Sequence, residues 1–174
     1  MLVLVVGPSG AGKDTLLDAV RVLVAERHDI CFARREITRP VTPGGEDHIP
    51  VGHEQFRLRC EQGAYALWWQ AHGLGYGINA EIRHALDAGR TVVASVSRAI
   101  IADAASRFDV RVVEITAPAS VLAKRLATRG REGADDIERR LQRQVALPAH
   151  IACVTVMNDD TIEAGAEKLL EAIG

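Results

Sequence analysis

Cysteines, lysines and aromatic side chains are scarce in this 174-residue chain, with three cysteines, three lysines and a 4% share of Phe, Trp and Tyr. Cys31, Cys60 and Cys153 are scattered, odd in number and outside any metal-ligand spacing. That excludes a disulfide scaffold and a cysteine-built zinc site, and predicts buried thiols in a reducing, cytoplasmic compartment. Long apolar runs are missing too. The longest is Met1–Val6, far short of the roughly 20 residues of a bilayer-spanning helix. It has no basic flank and no small-residue cleavage site, so no secretion signal is expected there. Nor is there an excess of positive charge: the formal net charge is −2, which argues against a general binder of nucleic acid or of anionic membranes.

What is present is an ordinary globular composition, 48% apolar and 25% charged, which rules out disordered and fibrous classes. The length predicts one domain over residues 1–174, large enough to bury a core unaided. Arginine accounts for 18 of the 21 basic residues. A genome-wide base bias explains an overall preference of that kind. It does not explain the crowding of Arg125, Arg129, Arg131, Arg139, Arg140 and Arg143 into one short stretch.

Along the chain, the apolar run ending at Val6 suits a strand buried on both faces of a parallel sheet. Leu16, Leu17, Val20, Leu23 and Val24 then recur at helical spacing up to about Arg27. Residues 30–37 predict one returning strand, and the proline- and glycine-rich stretch 39–52 an exposed loop. A helix is expected over 53–62, a strand over 65–69 and a glycine-rich turn over 72–77. Strands over 91–96, 110–115 and 151–157 alternate with helices over 80–88, 99–108, 118–128, 135–147 and 161–173. This rhythm predicts an α/β fold, a parallel sheet with helices on both faces and its ligand site at the carboxyl ends of the strands. Residues from about 38 to 78 interrupt the rhythm and are expected to form a small lobe.

Gly7, Pro8, Ser9, Gly10, Ala11, Gly12 and Lys13 spell G-x-x-x-x-G-K between the first strand and the first helix, which is where a phosphate-cradling loop must lie. Its glycines let backbone N–H groups turn inward, and the helix start adds partial positive charge. Lys13 supplies a mobile cation for the outer phosphates of a nucleoside triphosphate. The next position, normally a hydroxyl residue that ligates Mg²⁺, is Asp14, followed by Thr15. A carboxylate beside a triphosphate is favourable when a cation lies between them, so Asp14 is the candidate Mg²⁺ ligand. The alternative is that it serves only as a favourable charge at the helix start. No strand ends in the aspartate that commonly supplies the second metal contact, since Thr91–Ser97 carries none.

Arg129 and Arg131 suit a lid over about 128–136, with Arg140 on the helix expected after it, because guanidinium groups arriving with a closing lid neutralise charge in phosphoryl transfer and exclude water. No general base is evident. A phosphate acceptor needs none, being largely dianionic at neutral pH. Arg39, His48, His72 and Arg98, in or near the interrupting lobe, suit such an anionic acceptor, with Arg131 as a further candidate contact.

In order along the chain, Gly7–Asp14, Ile37–Pro40, His72–Gly77, Ser97-Arg98, Arg125-Leu126, Arg129–Glu132 and Asn158–Asp160 resemble the guanylate kinase-like P-loop kinases over essentially the full length. Within that family the Asp after the loop lysine and the His-Gly-Leu turn resemble the branch that acts on ribose 1,5-bisphosphate. The resemblance implies ATP-dependent phosphorylation of its 1-phosphate, giving 5-phosphoribosyl 1-diphosphate and ADP, with Mg²⁺ as cofactor. It implies that Arg39, Tyr76 and Arg98 contact the acceptor, that Arg140 meets the transferring group, and that Arg125 and Asn158 lie on the nucleotide side. It leaves homodimerisation open. Departures from guanylate kinases include Val41-Thr42 where a second acceptor arginine is usual, and His48 where a tyrosine is usual. Leu67, Trp68, Trp69 and Gln70, with Ser95 and Ser97, stand where guanine-reading carboxylates would. A nucleoside monophosphate kinase and a non-catalytic binding module are the alternatives.

Overall fold

The computed structural model describes residues 1–41, 46–128 and 151–174, the side chains of 126–128 apart. Five strands form a wholly parallel sheet: β1 (Leu2–Val6), β2 (Ile30–Phe32), β7 (Thr91–Ser95), β8 (Val110–Thr116) and β9 (Cys153–Met157), in the order β2-β7-β1-β8-β9. β1 is central, and all five of its side chains are buried. Alternation along it divides the core in two. Val3 and Val5 pack with Leu16, Leu17 and Val20 of α1 (Lys13–Leu23) and with Leu169 and Ile173 of the last helix (Ile162–Ile173). Leu2, Leu4 and Val6 face the opposite way, toward Val92, Ala94, Ile100, Ile101 and Val112. The continuous apolar runs of β1 and β7 are therefore what a sheet covered on both faces requires.

A second sheet of four strands, in the order β4-β3-β6-β5, is built from β3 (Arg35–Ile37), β4 (His48–Pro50), β5 (Tyr65–Ala71) and β6 (Leu74–Asn79). Its inner face carries Leu67, Trp69 and Ile78 into the second half of the core. Its outer face is covered by α2 (His53–Glu61), whose Phe56 ring lies where a Cβ on Gly75 would stand, 2.6 Å away. The remaining described helices are α3 (Ile82–Asp87), α4 (Ile101–Ala105, entered through a 3₁₀ turn at Arg98–Ile100), α5 (Ala119–Thr128) and α6 (Ile162–Ile173).

Three expectations change. The expected single strand over 30–37 is two: β2 joins the core sheet and β3 the second sheet. The expected loop over 39–52 includes β4, which pairs with β3 in parallel register Arg35 to His48. The expected glycine-rich turn over 72–77 is mostly strand. Only His72 and Gly73 turn, with φ of 52° and 73°, between the paired Ala71 and Leu74. Positive φ at both central residues marks the tight turn whose twist matches a hairpin. Gly75 and Gly77 are glycine for a different reason: a Cβ on Gly77 would sit 2.5 Å from the Tyr65 ring. The helix expected over 135–147 lies outside the described residues.

Candidate active site

The carboxyl end of β1 runs into the phosphate loop, where the sheet order branches to β7 on one side and β8 on the other, the position at which open parallel sheets bind ligands. Gly7 has a φ of 147°, and a Cβ there would lie 2.0 Å from the carbonyl oxygen of Ile115. No side chain fits. Gly12, at φ 85°, leads into α1, and a Cβ on it would lie 2.4 Å from Asn158 Nδ2. Lys13 folds back over the loop, its Nζ donating to the carbonyl oxygens of Gly7 at 2.8 Å and Pro8 at 3.0 Å.

Asn158, which directly follows β9, is 5% exposed. Its Nδ2 donates to the Ala11 carbonyl at 2.7 Å, and its backbone N–H donates to Thr116 at 2.7 Å. It thus ties the loop to the far side of the sheet. Arg125 reaches the same loop from α5, Nη1 to the Gly10 carbonyl at 3.5 Å. Between them opens a cleft of about 770 Å³, lined by Thr15, Leu16, Val121, Lys124, Asp160 and Ile162 among others. Apolar walls with a few polar groups, beside a phosphate loop, suit a nucleoside. Val121, Lys124 and Ile162 were not legible in the sequence as lining residues. They come from α5 and from the start of α6, whose approach to the loop is a matter of packing.

On the opposite side of α1, Asp14 sits half-exposed at the helix start, its Oδ1 3.0 Å from Arg35 Nη2. Arg35 is the residue that sequence reasoning missed. It comes from β3 on the inner face of the second sheet, and only 13% of its side chain is exposed. The same Nη2 lies 3.2 Å from Glu46 Oε2, while Nη1 donates to Ser95 Oγ at 3.1 Å at the end of β7. Arg39 approaches the same Glu46 oxygen at 3.7 Å. Arg34 and Arg35, side by side where β3 begins, offer no periodic signal. Only its register opposite Ile78 shows which face Arg35 takes.

His48 does not face an acceptor. It is 1% exposed, with Nδ1 3.0 Å from the Glu46 carbonyl and Nε2 3.0 Å from the Arg39 carbonyl. Its ring clasps the two ends of the 39–46 loop, so the expected substrate contact is corrected to a structural one. His72 sits exposed in the hairpin turn, a turn residue by its backbone angles. Tyr76 stacks on Trp69, ring centroids 5.2 Å apart and planes 4° from parallel. Arg98 is ion-paired with Glu114 of β8. Arg129, Arg131 and Arg140 lie outside the described residues. The structure thus brings together the whole phosphate loop, Asp14, Thr15, Arg125 and Asn158, and sets Arg39 beside Arg35 and Glu46.

Behind the second sheet, Glu36 is buried at 4% exposure. It accepts from the Tyr65 hydroxyl at 2.7 Å and pairs with Arg59 at 2.8 Å. Burial and the adjacent carboxylate push the Tyr65 phenol well above its ordinary value of 10.0. Burial likewise raises the thiols of Cys31, Cys60 and Cys153, so these free thiols are poor nucleophiles.

With this geometry the comparisons agree. The family model for guanylate kinase matches residues 1–174. The chain belongs to the guanylate kinase family. A crystal structure of guanylate kinase from Anaplasma phagocytophilum superposes with a TM-score of 0.73 at 18% identity, over 99% of this chain and 83% of that one. That likeness establishes the fold. A ribose 1,5-bisphosphate phosphokinase of Acidiphilium cryptum is 53% identical over 169 residues, 97% of this chain and 90% of that protein. One from Agrobacterium fabrum is 41% identical over 174 residues, 99% and 95% respectively. A bifunctional ribose 1,5-bisphosphokinase–thymidine phosphorylase of Azorhizobium caulinodans is 46% identical, and there this chain spans 25% of the relative's length. Within the family, the chain groups with these phosphokinases, and it is a phosphotransferase.

Proposed function

We propose that this member of the family moves the γ-phosphoryl group of ATP onto the 1-phosphate of ribose 1,5-bisphosphate, giving 5-phospho-α-D-ribose 1-diphosphate and ADP. Phosphokinases of that name at 41–53% identity over nearly the full chain support the reading. The observation that carries it is the inner face of the second sheet. Leu67 and Trp69, where a guanine-reading carboxylate would be needed, are buried in an apolar cluster at 0% and 7% exposure. A site without partners for a base edge loses its selectivity for that base, whereas arginines on the same side of the cleft suit a base-free, doubly phosphorylated sugar.

In this reading the loop N–H groups and Lys13 hold the triphosphate, and the cleft between α5 and α6 takes the nucleoside, with Arg125 over the loop and Asn158 fixing its shape. Lys13 is held by two carbonyl oxygens and releases one or both to follow the transferring phosphoryl group. An oxygen of the acceptor's dianionic phosphate attacks directly, so no side chain has to remove a proton. Mg²⁺, when bound, neutralises the triphosphate. It keeps several waters and commonly takes one or two protein carboxylates; Asp14, half-exposed at the helix start, fits that donor set. Thr15 follows as a hydroxyl neighbour. Arg129 and Arg131 are assigned to the lid, Arg140 to the helix after it, and Tyr76, Arg39 and Arg98 to the acceptor side, from the sequence pattern. The residues from about 38 to 78 act as the acceptor lobe of one catalytic domain. Three unpaired thiols support a cytoplasmic setting, and no described helix is long and apolar enough to cross a membrane.

The test is ADP formation from ATP and Mg²⁺ with either ribose 1,5-bisphosphate or GMP, the products identified by phosphorus NMR. Turnover of the sugar bisphosphate with appearance of a coupled diphosphate pair is the expected outcome. Turnover of GMP alone would overturn the reading.

A further inference from the structure

We propose that Arg35 joins Arg39, the acceptor contact that the sequence pattern already implies, in a two-guanidinium clamp for a phosphate of the acceptor, and that Glu46 occupies this clamp until the acceptor arrives. The inference rests on the sugar-bisphosphate reading above. Both guanidinium groups converge on one carboxylate oxygen, Glu46 Oε2, from 3.2 and 3.7 Å. Two forks aimed at one oxyanion are an anion site, whichever anion fills it. The carboxylate does not complete the site. Glu46 Oε1 and Arg39 Nε are both buried without a hydrogen-bond partner among the described residues, an arrangement that is costly to maintain. A phosphate has three oxygens to distribute over the two forks where the carboxylate engages them with one. Exchange would return Glu46 to water and relieve both orphaned atoms.

Position favours the acceptor rather than ATP as the incoming anion. Arg35 extends from the second sheet and touches Asp14 at the start of α1 and Ser95 at the end of β7, so it stands between that sheet and the mouth of the phosphate loop. Arg39 lies farther out on the same loop as Glu46. Charge favours a sugar bisphosphate there over a nucleoside monophosphate. An acceptor with two phosphate monoesters brings up to four negative charges, about twice those of a nucleoside monophosphate. Among the described residues near the mouth, Arg98 is paired with Glu114 and Lys13 with the loop carbonyls, whereas Arg35 and Arg39 share one carboxylate oxygen. Arg35 also supplies, from a strand, the second arginine that the loop lacks at Val41-Thr42.

The experiment combines steady-state kinetics with calorimetric titration of ribose 1,5-bisphosphate in the absence of nucleotide, on the wild-type protein, Arg35→Gln, Arg35→Lys and Glu46→Gln. Loss of a charge-assisted contact predicts an acceptor KM and Kd raised about tenfold to a hundredfold in Arg35→Gln, with the ATP KM within about twofold of wild type. Arg35→Lys, which keeps the charge but not the fork, falls between. Glu46→Gln removes the competing anion and tightens acceptor binding. An unchanged acceptor Kd in Arg35→Gln, or an ATP KM raised equally, overturns the clamp. Weaker acceptor binding in Glu46→Gln overturns the exchange and makes Glu46 a support for the two arginines. A wild-type protein that neither binds nor turns over ribose 1,5-bisphosphate refutes the proposed function instead, a result distinct from each of these.

Discussion

Asn158 is where loop shape and stability meet in a single hydrogen bond, and substituting it separates two physical effects. Its Nδ2 donates to the buried carbonyl of Ala11 at 2.7 Å, and Ala11 is 0% exposed. Asn158→Ala leaves that carbonyl without a partner, which costs about 1–3 kcal/mol. For a chain of this size that corresponds to a drop of roughly 2–12 °C in Tm. Asn158→Asp keeps the shape but turns the donor into an acceptor. Two oxygens then face each other in a buried site, and the new carboxylate is desolvated as well.

At neutral pH the aspartate variant should therefore be less stable than the alanine variant. The order has a signature in pH. Burial opposite a carbonyl raises the introduced carboxyl's folded-state pKa above its unfolded value, so the destabilisation is fully present above that raised pKa. It fades as pH falls through it, because the protonated carboxyl donates to Ala11 as the amide did. Thermal and urea unfolding of nucleotide-free protein between pH 5 and 8, with wild type as reference, is the assay. If Asn158→Asp equals Asn158→Ala at every pH, or if neither loses stability, the bond to Ala11 does not hold the loop and the reasoning fails.

Gly7→Ala should abolish nucleotide binding or folding, since its Cβ would stand 2.0 Å from the Ile115 carbonyl oxygen and backbone cannot move aside cheaply; normal ATP affinity in a folded variant would contradict this. Lys13→Met should lower kcat by about a hundredfold to a thousandfold, with a Tm near wild type, because the carbonyls it engages are only partly buried and water can take its place. Gly77→Ala should destabilise by about 1–3 kcal/mol through overpacking against the Tyr65 ring, and Gly77→Ala combined with Tyr65→Leu should recover part of the loss, measured by urea unfolding. Tyr65 gives an alkaline signature. Its folded-state pKa lies above the ordinary 10.0, so its contribution is intact below pH 10 and is lost as pH rises beyond it. Tyr65→Phe should be less stable than wild type at neutral pH, and the gap should narrow in the alkaline range.

The phosphate loop was legible residue by residue, because its chemistry is local: glycines at fixed offsets, a lysine, and a strand and helix on either side. So was the parallel sheet, because its central strand β1, buried along its whole length, is an unbroken apolar run and strands alternate with helices after it. The second sheet was not. Residues 30–37 look like one strand because periodicity reports that a segment is extended, not which partner it pairs with. The two halves part company only when β3 turns to pair with β4 and β6. Gly75 and Gly77 imitated a turn because a missing side chain reads alike whether it frees the backbone or makes room for a ring. The rings in question, Phe56 and Tyr65, approach from other elements. His48 looked like an anion ligand, yet its two ring nitrogens meet the carbonyls of Glu46 and Arg39, a role that only tertiary structure reveals. Arg35 is the converse case, an unremarkable arginine in the sequence that tertiary packing sets between Asp14, Glu46 and Ser95. Local sequence thus determined where phosphate binds and which elements frame it. Only the docking of the second sheet on the first decided which charged groups face one another across the cleft, because those pairings join residues distant in the chain through register and packing rather than through spacing.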